Sequence, residues 1–152
     1  MELRYVTIDD EKLIYNWAND PEVRRNAINT EFIDWNRHQV WFQNKLNSEN
    51  SKMYIAEINN QAVGQIRFDI EQNKYIIDYS ISKYERGKGY GFLIVKEGIN
   101  CIKNLTSCFN SFEANVKPDN DASKRVFDKL GFKTKSSVIS CENELIVFQL
   151  SL

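Results

Sequence analysis

The stretch ERGKGYGFLIV, residues 85–95, contains three of the chain's six glycines within five positions. Gly87, Gly89 and Gly91 alternate with larger residues and are followed at once by an apolar run. The first turn of a helix presents unpaired N–H groups and a partial positive charge, which together attract phosphate. Glycine has no Cβ, so the backbone can approach phosphate oxygens closely. The stretch therefore predicts a phosphate-binding loop that opens a helix; a plain glycine-rich helix cap is the alternative.

Length and charge predict one domain, residues 1–152, with no nucleic-acid or membrane partner. The chain has 152 residues, which is too short for two comfortable domains. Its net charge of −1 provides no overall field that would attract nucleic acid or an anionic membrane. The first residues lack the apolar segment of a signal peptide, and no stretch approaches 18 consecutive apolar residues. We therefore expect a cytoplasmic protein.

Cysteine and histidine content argues against a disulfide framework and a metal site. The three cysteines, Cys101, Cys108 and Cys141, are odd in number and have no CxxC spacing, which predicts reduced thiols. The single histidine, His38, disfavours a zinc site built on several imidazoles. We expect no metal cofactor.

The order of predicted elements is that of a mixed α/β domain. The first half contains the strand ELRYVTI, the helix DDEKLIYNWAND, a short helix from Pro21, an amphipathic helix over 34–46, and the strands KMYIAEI, QAVGQIRFDI and YIIDYSIS. Hairpin turns at 59–61 and 71–74 join these three strands. The second half contains a helix over 89–103, the strand SFEANV, the helix DNDASKRVFDKL closed by Gly131, and two closing strands, the last being ELIVFQL.

Two motifs carry a family resemblance. The glycine loop is neither a Walker A loop nor a dinucleotide GxGxxG, because Phe92 stands where the third glycine should fall. It does match R-x-x-G-x-G, at Arg86, Gly89 and Gly91. Downstream, NDASKRVFDKLGF (120–132) is similar to N-x-x-[AS]-x-x-[VL]-[YF]-x-K-x-G-F. With both motifs in this order, the chain resembles the GNAT superfamily of acyl-CoA-dependent N-acetyltransferases.

The resemblance implies a fold, a co-substrate and the residues that hold it. The fold would be a single-domain GNAT fold, a mixed, mostly antiparallel sheet with splayed central strands and flanking helices. Acetyl-CoA would lie in the gap between those strands, bonded by backbone groups of Ile81 and Ser82. The pyrophosphate would be held by Arg86, Gly87, Lys88, Gly89, Tyr90 and Gly91. Asn120 would hydrogen-bond the pantetheine arm; a helix cap is its alternative and compatible role.

The second motif departs from the family at one position. Many members have a tyrosine whose hydroxyl protonates the departing CoA thiolate, and this chain has Phe127 there. Either Ser123 or Tyr90 donates instead, or the thiolate leaves unassisted, since a thiol with a pKa of about 8.5 is already a fair leaving group.

The N-terminal half carries a narrower resemblance. The patterns W-x-N-D-P-E-V-R (17–24) and H-x-x-W-F (38–42) are similar to a subgroup that acetylates nucleotide-linked amino sugars in pseudaminic and legionaminic acid pathways. Trp41 and Phe42 would offer a flat apolar surface to a sugar or base, and Arg24 and Arg25 would meet a diphosphate. The alternative is that both aromatics are core and both arginines are solvated.

Direct transfer requires a neutral acceptor amine, so a base should be near. His38 and Asp78 are the candidate bases. We expect acetyl transfer to a small-molecule primary amine without a covalent enzyme intermediate, by a monomer or homodimer. Protein N-termini of the ribosomal-protein type or aminoglycosides are the alternative acceptors, and a non-catalytic acyl-CoA-binding module is the alternative class.

Overall fold

A computed structural model describes residues 1–105, 111–140 and 143–151, so Cys108 and Cys141 lie outside the described residues. The helices are α1 (Glu11–Ala18), α2 (Pro21–Asn26), α3 (Trp35–Leu46), α4 (Tyr90–Leu105) and α5 (Asp121–Lys129). The strands are β1 (Glu2–Tyr5), β2 (Ser51–Ile58), β3 (Gln61–Glu71), β4 (Lys74–Ile81), β5 (Ser111–Val116), β6 (Lys133–Ser140) and β7 (Asn143–Ser151). In the described ranges, no helix combines the length and apolar character needed to cross a bilayer.

Strands β2, β3 and β4 form a meander joined by two tight turns. Asn59 and Asn60 have φ of 51° and 62°, and Gln72 and Asn73 have φ of 46° and 67°. Two successive left-handed residues match the right-handed twist of the strands they connect, and asparagine tolerates this conformation better than most residues. Both predicted hairpins are confirmed.

The strand order is β1-β2-β3-β4-β5-β7-β6, and β4 with β5 is the parallel pair in an otherwise antiparallel sheet. The parallel pairing covers three residues of each strand, from Lys74 to Ile76 and from Ser111 to Glu113. Beyond these residues β4 continues to Ile81 and β5 to Val116 without pairing to each other. The sheet therefore divides at its centre, which confirms the expected splayed strands.

The divided part of β4 directs alternate backbone groups toward the gap. Ser82 N donates to Val63 O at 2.9 Å, so even-numbered residues of this segment bond to β3. Since bonded and non-bonded pairs alternate in an antiparallel ladder, the backbone groups of Tyr79 and Ile81 point away from β3. These groups line the gap.

Two cores hold the helices on opposite faces of the sheet. The larger core lies beneath α4 and α5, and the smaller core includes Ile14, Phe42 and Ile55 beneath α1 and α3. A Cβ at Gly98 of α4 would come within 2.8 Å of Phe68 Cζ, so glycine permits the close approach of α4 to β3. The gap in the sheet thus opens between two rigid layers.

Candidate active site

A cleft of about 720 Å³ opens where β4 and β5 separate. It brings together most of the residues predicted from the sequence: Arg24, His38, Trp41, Asp78, Ile81, Arg86, Gly87, Gly89, Tyr90, Gly91 and Asn120 all line it. Four predicted residues do not line it. The amide of Ser82 bonds to β3, the side chains of Lys88 and Arg25 are exposed outside the cleft, and Phe42 is buried.

The glycine loop ends where α4 begins. Gly87 and Gly89 have φ of +77° and +79°, a left-handed conformation that favours glycine. A Cβ on either residue would meet no atom within 4 Å, so the backbone dihedral, and not crowding, requires glycine there. Tyr90 and Gly91 also line the cleft, so the N-terminus of α4 borders it. This is the geometry expected of an anion-binding loop.

Both cations of this loop are already paired with carboxylates. Arg86 Nη2 lies 2.6 Å from Asp20 Oδ1, and Arg86 Nη1 lies 3.0 Å from Glu22 Oε2. Its Nε donates to the carbonyl oxygen of Ile81 at 3.2 Å. Lys88 Nζ lies 2.8 Å from Glu85 Oε2 at an exposed position. The contact of either cation with a pyrophosphate stays a prediction.

A pair of hydroxyl groups lies beside Phe127. Asn120 caps α5 by accepting a hydrogen bond from Ser123 N at 3.1 Å, which is its predicted alternative role. Ser123 Oγ is 3.1 Å from Tyr79 OH, and the ring of Tyr79 packs edge-on against Phe127. Burial raises the pKa of Tyr79, so its phenol stays protonated at neutral pH. Tyr79 was missed in the sequence because its strand is apolar on both faces.

Arg24 of α2 lines the cleft and is held there by hydrogen bonds to backbone carbonyls. Its Nε donates to Ala18 O at 2.5 Å and its Nη1 to Asn29 O at 3.0 Å. No carboxylate forms an ion pair with Arg24 within the described ranges. Burial lowers the pKa of Arg24, the nearby Asp78 carboxylate opposes this and Arg37 adds to it, but a guanidinium stays charged at neutral pH. Arg24 thus brings to the cleft a positive charge that interacts with Asp78 without an ion pair to it.

Asp78 faces the same part of the cleft from β4. Its side chain is 57% exposed, Gln65 Nε2 approaches Oδ1 at 3.4 Å, and Arg67 Nη2 approaches Oδ2 at 3.8 Å. Burial by itself would lower the pKa of Arg67, but the Asp78 and Asp69 carboxylates outweigh it and raise that pKa. Asp78 is therefore an accessible carboxylate in an arginine-rich wall. Its register opposite Arg67 places Asp78 on the face of β4 that borders this part of the cleft.

The aromatic residues of α3 divide between wall and core. Trp41 lines the cleft, and the Arg67 guanidinium lies 5.2 Å above its ring. Phe42 is completely buried in the smaller core, so the prediction that it presents a surface to substrate is wrong. His38 borders the cleft but is only 1% exposed, and its Nε2 bonds to Glu11 O at 3.0 Å. Burial lowers the pKa of His38, which keeps the imidazole neutral.

The sequence matches a family model over most of its length. Residues 1–133 match the family described as "Acetyltransferase (GNAT) domain". An uncharacterized N-acetyltransferase p20 from Bacillus licheniformis is 27% identical over 142 residues, which cover 88% of this chain and 79% of that protein.

Solved structures share the fold at lower identity. The spermidine N-acetyltransferase of Vibrio cholerae, in complex with CoA and spermine, has a TM-score of 0.85 and 11% identity; the match covers 99% of this chain and 94% of that chain. The ribosomal-protein-alanine N-acetyltransferase of Brucella melitensis has a TM-score of 0.83 and 18% identity, with 100% of both chains covered. At these identities the likeness establishes the fold.

Proposed function

This chain belongs to the GNAT acetyltransferase family, and we propose that its acceptor is the primary amine of a nucleotide-linked amino sugar. It is an acetyl-CoA-dependent N-acetyltransferase. The proposal concerns the acceptor and the residues that bind and deprotonate it.

One observation carries the proposal: Arg24 lines the acceptor side of the cleft with no carboxylate ion-paired to it in the described ranges, while Asp78 lies exposed in the same wall. Arg24 would bind a diphosphate, because a guanidinium pairs well with phosphate oxygens. Asp78 would bind the ammonium group of the same molecule. An acceptor that combines an amine with phosphates satisfies both charges.

The chemistry follows from this placement. Asp78 would pair with the ammonium and accept its proton, which leaves a neutral amine. That amine attacks the thioester carbonyl of acetyl-CoA; a C–N bond forms and the C–S bond breaks. The second amine proton is released as the amide forms, and the CoA thiolate takes up a proton from the Ser123–Tyr79 hydroxyl pair or from water. His38 would position α3 rather than exchange protons, since its ring is buried.

The proposal predicts that the enzyme prefers a nucleotide-linked amino sugar to the free amino sugar, which steady-state kinetics can measure. Thiol release should show a kcat/KM for a UDP-linked amino sugar that exceeds the value for the free amino sugar by about ten- to a hundredfold. This factor corresponds to the roughly 1.5–3 kcal/mol of one charged hydrogen bond. Arg24→Gln should remove the preference by lowering kcat/KM for the nucleotide-linked sugar alone.

Arg25→Gln is the matched control, because it removes the same charge from the exposed side of the same helix. We expect this variant to retain the preference. Equal turnover of both sugars by the unmodified enzyme, or turnover of peptide N-termini alone, would defeat the proposal.

A further inference from the structure

Helix α2 is held in place by polar contacts. It has six residues, none of which is buried, so apolar packing contributes little to its position. Its N-terminal end contacts a residue that follows β4, and its C-terminal end contacts the residue that follows β5. Since β4 and β5 are the two strands that separate, α2 bridges the opening of the cleft.

The N-terminal contact is a fork of ion pairs. Arg86 reaches Asp20 at 2.6 Å and Glu22 at 3.0 Å, and its third donor is bonded to Ile81 O. Asp20 is also the N-cap of α2, accepting hydrogen bonds from the amides of Glu22 and Val23. Burial alone would raise the pKa of Asp20, but Arg86 and these amides lower it overall. One carboxylate thus joins the start of the helix to the glycine loop.

The C-terminal contact is made by a buried ammonium. Lys117 is 9% exposed, and its Nζ donates to the carbonyl oxygen of Arg25 at 2.8 Å. The last carbonyls of a helix have no intrahelical partner and carry partial negative charge, so a cation is favourable there. Lys117 therefore satisfies the end of α2 from the opposite side of the cleft.

We propose that Arg86 and Lys117 are positioning residues that hold α2, and with it Arg24, across the opening between β4 and β5. Arg86 then acts on the acceptor side of the reaction, although it belongs to the glycine loop. This inference rests on the proposed function only in taking the α2 side of the cleft as the acceptor side; it does not depend on which amine is acetylated.

The position of α2 affects acceptor binding because Arg24 belongs to this helix. Its guanidinium bonds to backbone on both sides of α2, at Ala18 and at Asn29. Release of either end of the helix would move Arg24 away from the position that these bonds define. We expect the loop glycines to keep their left-handed dihedrals, because glycine adopts them at little steric cost.

The test separates acceptor binding from cofactor binding. Arg86→Gln and Asp20→Asn are prepared singly and together; asparagine caps a helix as well as aspartate does, so the cap is kept. Acetyl-CoA Kd is measured by calorimetry, and acceptor KM is measured by thiol release with whichever amine the unmodified enzyme acetylates fastest. We expect each single variant to raise acceptor KM about tenfold and to change kcat and acetyl-CoA Kd less than twofold. The double variant should be no worse than either single variant.

Two further variants sharpen the result. Lys83→Gln removes an exposed charge between β4 and the glycine loop, at a residue that does not line the cleft, and it should leave acceptor KM unchanged. Lys117→Met removes the other contact, keeps an apolar side chain of similar length, and should raise acceptor KM as Arg86→Gln does.

Three outcomes would overturn the inference. If Arg86→Gln weakens acetyl-CoA binding while Asp20→Asn does not, Arg86 is a pyrophosphate ligand. If the losses in the double variant add, the two residues act independently. If every variant lowers kcat and melting temperature together with no change in acceptor KM, the contacts serve stability alone. Because the acceptor is chosen empirically, failure of the sugar-nucleotide proposal would not produce any of these outcomes.

Discussion

At Gly89 the chain adopts a left-handed φ of +79° in open space. Gly89→Ala would introduce strain of about 1–2 kcal/mol and would add a methyl group at a position that lines the cleft. We therefore expect a lower melting temperature and, by calorimetry, an acetyl-CoA Kd that is raised at least tenfold, because backbone N–H groups are the expected phosphate donors.

Gly131 provides the control for this strain. It has φ of +84°, open space around its Cβ position, and lies after α5 outside the cleft lining. Gly131→Ala should lose a similar amount of stability and bind acetyl-CoA normally. Equal cofactor affinity in both variants would refute the phosphate role of the loop.

The burial of His38 predicts how the free energy of unfolding depends on pH. Its folded-state pKa is lowered by burial, so the unfolded chain binds more protons near pH 6 than the folded chain does. The contribution of neutral His38 to the free energy of unfolding is complete above the pKa of about 6.5 in the unfolded chain. It is lost as the pH falls toward the lower pKa of the folded protein. Urea unfolding at pH 7.5 and pH 5.5 should show a smaller pH-dependent loss in His38→Gln than in the unmodified chain.

The groups around His38 support this direction. Lys12 opposes a positive imidazole, while Glu11 favours one, and burial is the largest influence. The same variant tests catalysis: near-normal kcat with an unchanged pH–rate profile would assign His38 to packing and leave Asp78 as the base. An identical pH dependence of stability in both proteins would contradict the buried neutral imidazole.

Single residues show where sequence reasoning was limited. The glycines and Asn120 were identifiable because local backbone chemistry requires those residue types. Phe42 and Trp41 are adjacent aromatic residues on α3. The orientation of α3 against β2 decides that Phe42 is buried and that Trp41 lines the cleft. Arg24 and Arg25 are likewise adjacent, and only the fold separates a cleft residue from an exposed one.

At the scale of the element, the alternating direction of the amides in β4 leads to a prediction about their hydrogen exchange. The amides of Ser80 and Asp78 are directed to β3, and those of Tyr79 and Ile81 are directed to the gap. If pantetheine bonds to β4 as a strand would, acetyl-CoA should slow hydrogen exchange at Ile81 and Tyr79. Ser80 and Asp78 should be protected with or without it.

Residue-resolved exchange followed by NMR measures this alternation directly. Uniform slowing of all four amides would indicate general stabilisation, and no slowing at Ile81 would contradict its predicted contact with the cofactor. The paired amides serve as internal controls, so no variant is required.

Helices and strands with a clear local sequence pattern could be predicted, and those without one could not. The helix predicted over 34–46 and the two asparagine-containing hairpins agree with the structure within one or two residues. The helix predicted from Asp9 is divided, because Ile8–Asp10 form a 3₁₀ turn in which Asp10 accepts from the amide of Thr7. Strand β6 could not be located by pattern, because almost all of its residues are exposed and carry no apolar alternation.

At the scale of the whole molecule, the two halves of the sheet meet over three paired residues, and an ion-pair network reinforces the junction. Glu113 of β5 lies 3.0 Å from Lys74 Nζ of β4 and 3.3 Å from Lys135 Nζ of β6. Glu113→Gln would leave both ammonium groups without their carboxylate. We expect urea unfolding to show a loss of about 1.5–3 kcal/mol, the range for hydrogen bonds to charged groups.

Glu144→Gln is the control, since it neutralises an exposed carboxylate on the neighbouring strand β7. It should change the free energy of unfolding by less than about 0.5 kcal/mol. Equal effects of the two substitutions would show that the junction does not depend on Glu113.

The fold and the glycine loop were predictable because contiguous sequence motifs indicate them. The α2 side of the cleft was not predictable, because it is assembled from residues that lie far apart in the chain. Arg67 approaches Asp78 through strand pairing, and Arg86 reaches Asp20 across 66 positions. No periodicity or spacing encodes such contacts, so the charge of the cleft emerges only when the sheet and α2 are in place.

The short parallel pairing of β4 with β5 affects how the protein behaves without acetyl-CoA. Where β4 leaves β5, the sheet has an edge in its own interior, with backbone groups of Tyr79 and Ile81 directed into the opening. Exposed strand edges invite pairing with other extended chains. Acetyl-CoA bound along β4 would occupy that edge, so we expect the enzyme to aggregate less with its co-substrate than without it.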